Sequence, residues 1–243
     1  MMSTTLTTAQ ALLPYFKNLG LVWAIVILSL WVLSFAGFLL IDLTQFSGVY
    51  WIAIVLVRTF LQTGLFILAH DAMHQSLVPS NVELNHSIGK VAIGLYAVLN
   101  YDQCLRNHRL HHHIPGQVGD PDFHNGSNPH GLSWYFQFLR AYLPVSQMLL
   151  FLTIVGSGLV GLIFVLQVSV VNCVVVWMAP LILSSLQLFC FGTYFPHRNE
   201  ENVIKSAYYP RVISFLVCYH FSYHQEHHKH PDVPWYALPD CKL

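Results

Sequence analysis

The sequence predicts an all-α integral membrane protein of about four transmembrane helices, paired in two hairpins under a histidine-rich helical cap. Three observations predict it. Of 243 residues, 55% are hydrophobic and only 9% are charged, against about 25% charged in an ordinary soluble domain. The apolar residues are gathered into charge-free runs long enough to cross a bilayer. Histidine, at 15, outnumbers Lys plus Arg (11) and Asp plus Glu (11). The even charge balance leaves no basic field for nucleic acid, and the composition excludes disorder and collagen-like structure. The chain reads as a single membrane domain over 1–243, with a cap built from residues 70–140 and 197–243.

The first span is placed at residues 20–41, GLVWAIVILSLWVLSFAGFLLI, which holds no charge. At about 1.5 Å per residue, about 20 such residues cross a hydrocarbon core of roughly 30 Å. A secretory leader is the competing reading, but the run exceeds a leader's apolar region and no A-x-A-like site follows. The second span, 50–69, contains Arg58, which must face the protein interior or snorkel. Between Arg140 and Arg198 lie 57 residues without Lys, Arg, Asp or Glu, enough for spans at 146–166 and 173–194 with a tight turn at 167–172. Residues 88–99 are too short to cross and are expected to lie re-entrant or along the interface, and 214–219 likewise. The five cysteines are scattered, form no C-x-x-C pair and read as apolar filler.

Topology follows from the cations. The connection between the first two spans holds no Lys or Arg, and the second hairpin has no charge at its turn. Lys17, Lys90, Arg106, Arg109, Arg140, Arg198, Lys205, Arg211, Lys229 and Lys242 all lie on the other side of the spans. The positive-inside rule then puts both termini and both polar segments in the cytoplasm. All fifteen histidines fall in those segments or at their junctions with the spans, where they can meet.

Three clusters have helical spacing. His70 and His74, in HDAMH, are i and i+4; His108, His111 and His112, in HRLHH, are i, i+3 and i+4; His224, His227 and His228, in HQEHH, repeat that pattern. Such offsets stack side chains on one helix face, so each cluster is expected to converge on one point. Composition alone gives H-x-x-H-H roughly 0.06 times in such a chain, yet it occurs twice. Eight imidazoles exceed the four ligands of one tetrahedral zinc and fit two metal ions. Imidazole suits Fe, Zn, Cu and Ni, so ligand type leaves the metal open. H-E-x-x-H is absent, which disfavours a zinc metalloprotease. His197 and His220 compete for a ninth position; His197 is favoured, because it would tie the fourth span to the metals. His113 and His124 adjoin the second cluster, while His86, His130 and His230 read as solvated.

HDAMH, HRLHH, FGTYFPHR and YHFSYHQEHH, in that order with four spans, resemble the membrane-bound histidine-box desaturase and hydroxylase superfamily. GDPDFH at 119–124, LSSLQLFCFGTYFPHR at 183–198 and EHHKHPDVPWYALP at 226–239 narrow the resemblance to the bacterial and cyanobacterial β-carotene ketolases, over about residues 50 to 240. Ser222 and Gln225 depart from the pattern, but only at spacer positions of the third box.

The resemblance implies a di-iron oxygenase with two non-haem Fe²⁺ ions, O₂ as co-substrate and a ferredoxin-like electron donor. It implies β-carotene taken from the membrane lipid and oxidised at C4 of the β-ionone ring, twice, to echinenone and canthaxanthin. His70, His74, His108, His111, His112, His224, His227 and His228 would be iron ligands, with His197 as the ninth. Asp120, Asp122 and Glu226, with Asp71, flank ligands and are placed to orient a ring through its second N–H; for Asp122 a turn-capping role competes. Tyr194, Phe195, Phe221, Tyr223, Trp235 and Tyr236 either line a polyene tunnel or form an interfacial aromatic belt, the belt being favoured for Trp235 and Tyr236. Carotenoid hydroxylases and fatty-acyl desaturases share the boxes. A His-rich metal transporter is the rival of another class, disfavoured because residues 146–196 hold no His, Asp or Glu and offer mainly Ser, Thr, Asn and Gln as polar groups.

Overall fold

Four helices are long and apolar enough to span a bilayer: α1 (Leu19–Leu40), α2 (Gly48–Met73), α6 (Val145–Val165) and α7 (Val170–His197). Between the hairpins lie α3 (Val82–Ala97), α4 (Tyr101–His113) and α5 (Gly131–Tyr142), and after them α8 (Arg211–Cys218) and α9 (His224–Lys229). The computed structural model describes residues 19–124, 129–198 and 204–241, and among these there is no strand. Lys17 and Lys242, used in the topology argument, lie outside the described residues.

The spans fall where the apolar runs predict, and two of them reach further. α2 continues past the apolar run through His70, and His74 caps it. α7 continues to His197 instead of stopping near 194. The short run at 88–99 is the C-terminal half of α3, an amphipathic helix begun by Asn81, whose side chain accepts from Leu84 N at 2.9 Å. It packs against α2 closely enough that a methyl group at Gly89 would lie 2.5 Å from the Tyr101 ring and 2.7 Å from Ala72.

Arg58 faces the interior, fully buried. Its Nη1 donates to Trp31 O and Ser34 Oγ, both at 2.8 Å, and its guanidinium lies over the Trp31 and Phe35 rings at 4.9 and 5.1 Å. Nε donates to Val176 O at 3.1 Å. Pro180 has no N–H to offer that carbonyl four residues back, so one side chain supplies the missing donor and ties α1, α2 and α7 together. At the opposite end of the spans Asn172 begins α7 rather than ending a turn. It donates to Phe38 O and Ile41 O and accepts from Leu43 N, joining the two hairpins.

α6 is the exception to this packing. Val155 is its one buried residue among 145–160, so its surface is left to lipid, as an all-apolar helix tolerates.

Candidate metal centre and its cavity

α2, α4, α7 and α9 each end or begin at one side of the spans and deliver histidines to one place. The ligand nitrogens of His70, His74, His108 and His227 all lie within 4.8 Å of one another, and so do those of His111, His197, His224 and His228. His112 sits between the quartets, its Nε2 2.9 Å from that of His227 and its ring stacked on His228 at 4.3 Å. All nine rings of the predicted set are brought together.

Two details differ from the spacing argument. The second and third clusters do not each converge on one point: His108 and His227 join one quartet, while His111, His224 and His228 join the other. Positions i+3 and i+4 splay by about 100° on a helix of 3.6 residues per turn, so one short helix serves two centres. His220, the rival for the ninth place, points elsewhere. Its Nδ1 pairs with Ser214 Oγ at 3.1 Å and its ring lies on Trp235.

The rings turn their Nε2 atoms inward. His74 and His108 are 2.6 Å apart through these atoms, His70 and His227 3.2 Å, and His111 and His228 3.0 Å, as are His197 and His224. Nε2 of His227 faces both His70 and His112, and Nε2 of His228 faces both His111 and His224. One ring nitrogen carries one proton or one lone pair, so hydrogen bonding satisfies only one of each pair. A cation shared by the facing lone pairs satisfies them all. Burial, followed by the neighbouring imidazoles, pushes His74 down to about 3, and lowers His108, His224, His227 and His228. Burial likewise brings His112 to about 4. Neutral imidazole is the ligating form. The donor set therefore fits two transition-metal ions.

Asp120 is built as an orienting carboxylate. It is buried and accepts from His111 Nδ1 at 2.9 Å, from Gly116 N at 2.8 Å and from Asp122 N at 2.8 Å. Burial opposes protonation of His111, but Asp122 and the bond to Asp120 outweigh it and raise its pKa. The turn-capping role weighed for Asp122 belongs to Asp120; the Asp122 carboxylate instead accepts from Tyr142 Oη at 2.6 Å. Asp71 accepts from Trp235 N at 3.2 Å. Glu226 is fully buried, but its hydrogen bonds come from Ser206 and from Tyr208 Oη at 2.6 Å. It anchors the third box to residues 206–208 rather than orienting a ring.

An apolar cavity of about 330 Å³ lies between α2, α3, α5, α6 and α7, its walls including Phe66, Tyr96, Phe138, Tyr142, Met178 and Leu188. Beside it a smaller space of about 30 Å³ is lined by His70, His108, His111 and His224, and Phe66, Phe138, Tyr142 and Leu188 border both spaces. Of the aromatics predicted to line a tunnel, Phe221 alone borders this smaller space. Trp235 is no interfacial belt residue: it is buried against Trp23, Phe215 and Tyr219. His86 is half-buried, paired with Tyr101 Oη at 2.9 Å, rather than solvated. The lining residues missed in the sequence had a signal. Tyr135, Phe138 and Tyr142 recur at i, i+3 and i+7, one face of α5.

A family model described as fatty acid desaturase matches residues 46–159 and 146–243. The chain is 39% identical over 202 residues to the beta-carotene ketolase of Haematococcus lacustris, covering 78% of this chain and 61% of that one. It is 35% identical over 243 residues to the beta-carotene ketolase of Paracoccus sp. (strain PC1), covering 91% and 90%. It is 37% identical over 230 residues to the zeaxanthin 4-ketolase of Chlamydomonas reinhardtii, covering 90% and 50%. The chain thus spans 61% of the length of the Haematococcus protein and half that of the Chlamydomonas one.

Proposed function

The chain belongs to the fatty acid desaturase family and resembles its β-carotene ketolases, and from that premise we propose that it is a β-carotene 4-ketolase. It converts the C4 methylene of a β-ionone ring to a ketone by two hydroxylations of the same carbon. Each round consumes one O₂, two electrons and two protons and releases one water; the gem-diol formed by the second round then loses a third water. The products are echinenone and then canthaxanthin.

The observation that carries this reading is the apolar cavity that shares four wall residues with the histidine-lined space. A substrate insoluble in water arrives through lipid, and a cavity of a few hundred Å³ with few polar groups is what its ring requires. The hydroxyls in that wall are engaged: Tyr135 pairs with Ser185 at 3.0 Å and Tyr142 donates to Asp122.

His70, His74, His108 and His227 would hold one iron ion, His111, His197, His224 and His228 the other, with His112 between them. Bound there, the metals would supply oxygen activation, with electrons from a ferredoxin-like donor. The chain's own groups do the positioning. Asp120 fixes the orientation of His111, and the apolar collar of Phe66, Phe138 and Leu188 keeps water from the reacting carbon. The cap and both termini are assigned to the cytoplasm, where the donor is available, on the positive-inside argument. A metal-transport role finds less support. Buried polar groups within the spans, such as Arg58, Gln62 and Thr63, are engaged with backbone or amide oxygens and offer no line of metal ligands.

The test is pigment chromatography with mass spectrometry after expression in cells that make only β-carotene. Products in which one or two CH₂ groups have become C=O, with absorption moved to longer wavelength, are expected. Unchanged β-carotene, from protein that is membrane-inserted and iron-loaded, overturns the assignment. A 3-hydroxylated product, whose absorption hardly moves, would make it a hydroxylase.

A further inference from the structure

Of the four residues that border both spaces, only Tyr142 carries a polar group. Tyr142 borders the apolar cavity on one side and the histidine-lined space on the other. It is buried, its ring packs on Phe138 at 4.9 Å, and its hydroxyl donates to Asp122 at 2.6 Å. Asp122 is held in turn by Trp134 Nε1, which donates to its carbonyl at 2.9 Å, and by its own N–H, which donates to Asp120. Asp120 accepts from His111 Nδ1. A chain of hydrogen bonds therefore runs from the cavity wall to one of the proposed ligands.

The histidine-lined space measures about 30 Å³, roughly the volume one water molecule occupies. So narrow a space constrains how a ring can approach the histidines, and C3 and C4 are adjacent on a β-ionone ring, so the four residues bordering both spaces are where a choice between them would be made.

We propose that Tyr142, held on Asp122, is a specificity-determining residue that registers the substrate ring against the metal centre. It presents C4 rather than C3 and retains the ring between the two hydroxylations. The inference rests on the ketolase reading and deepens it.

The experiment compares wild type with Tyr142→Phe in cells making only β-carotene, reading the ratio of keto to hydroxylated rings and the iron bound per purified chain. Tyr142→Phe keeps the ring and removes one charge-assisted hydrogen bond. Iron per chain is expected to stay at the wild-type level, while the keto-to-hydroxy ratio falls about five- to tenfold as 4-hydroxy and 3-hydroxy rings are released. A merely structural role lowers every product together with iron and leaves the ratio alone, which overturns the inference. So does an unchanged ratio at full activity. If Tyr142→Phe does not accumulate, Leu188→Ala, which widens the same collar, must lower the ratio in the same way, and a wild-type ratio there overturns the inference. A wild type that makes no ketone sinks the ketolase reading itself, a result distinguishable from failure of the collar alone.

Discussion

His227 and His228 each face two other imidazole nitrogens, so the centre concentrates lone pairs among mostly buried rings. Their spacing was legible in the sequence, because offsets of three and four residues are a local property of a helix. Their division between two quartets was not, since it depends on how α4 and α9 are rotated against each other. His197 and His220 show the same limit. Both are histidines near a box, and only the reach of α7 sets the first into a quartet while the second turns to Ser214. The low basicity of the buried rings has a consequence for metal-free protein. An ordinary imidazole titrates at 6.5, and His74 and His112 are pushed to about 3 and about 4. The unfolded chain therefore binds more protons than the folded one below pH 6.5. Stability is full above that value and is lost progressively as the pH falls towards the folded values. Thermal unfolding of chelator-treated protein in detergent is expected to give a constant Tm from pH 8 to 7 and a falling Tm from pH 6 to 4. A Tm that holds or rises over the acidic range contradicts the neutral-quartet account.

At the scale of elements, the four spans were readable from charge-free runs, and their ends were displaced by polar residues that the hydropathy argument discounts. α2 and α7 each run beyond their apolar stretch because they carry ligands at their ends. Arg58 was readable as an interior residue, but its partners were not, because the free carbonyl at Val176 arises from Pro180 on another helix. Arg58→Ala removes three hydrogen bonds and two ring contacts and leaves a cavity among α1, α2 and α7. A loss of roughly 2–4 kcal/mol is expected, read as a lower Tm in detergent. Arg58→Met, which fills much of the volume, is expected to lose less than half of that. Equal losses for the two variants would show that packing volume is not what the guanidinium supplies.

Taken as a whole, four helices long and apolar enough to span a bilayer stand under a cap in which the ends of α2, α4, α7 and α9 gather nine histidines, beside an apolar cavity. The cap was legible because its ligands repeat a short pattern. The cavity was not, because Phe66, Phe138, Tyr142 and Leu188 come from three helices distant in the chain. The proposed function reduces to one claim: the nine imidazoles would hold two iron ions beside the apolar cavity. Metal analysis of the membrane-purified protein by mass spectrometry tests that claim most directly, in wild type and in His227→Ala. The account predicts two iron ions per chain in wild type, and fewer in His227→Ala, with ketone formation lost. One zinc ion per chain, or an iron content that His227→Ala leaves unchanged, would contradict it.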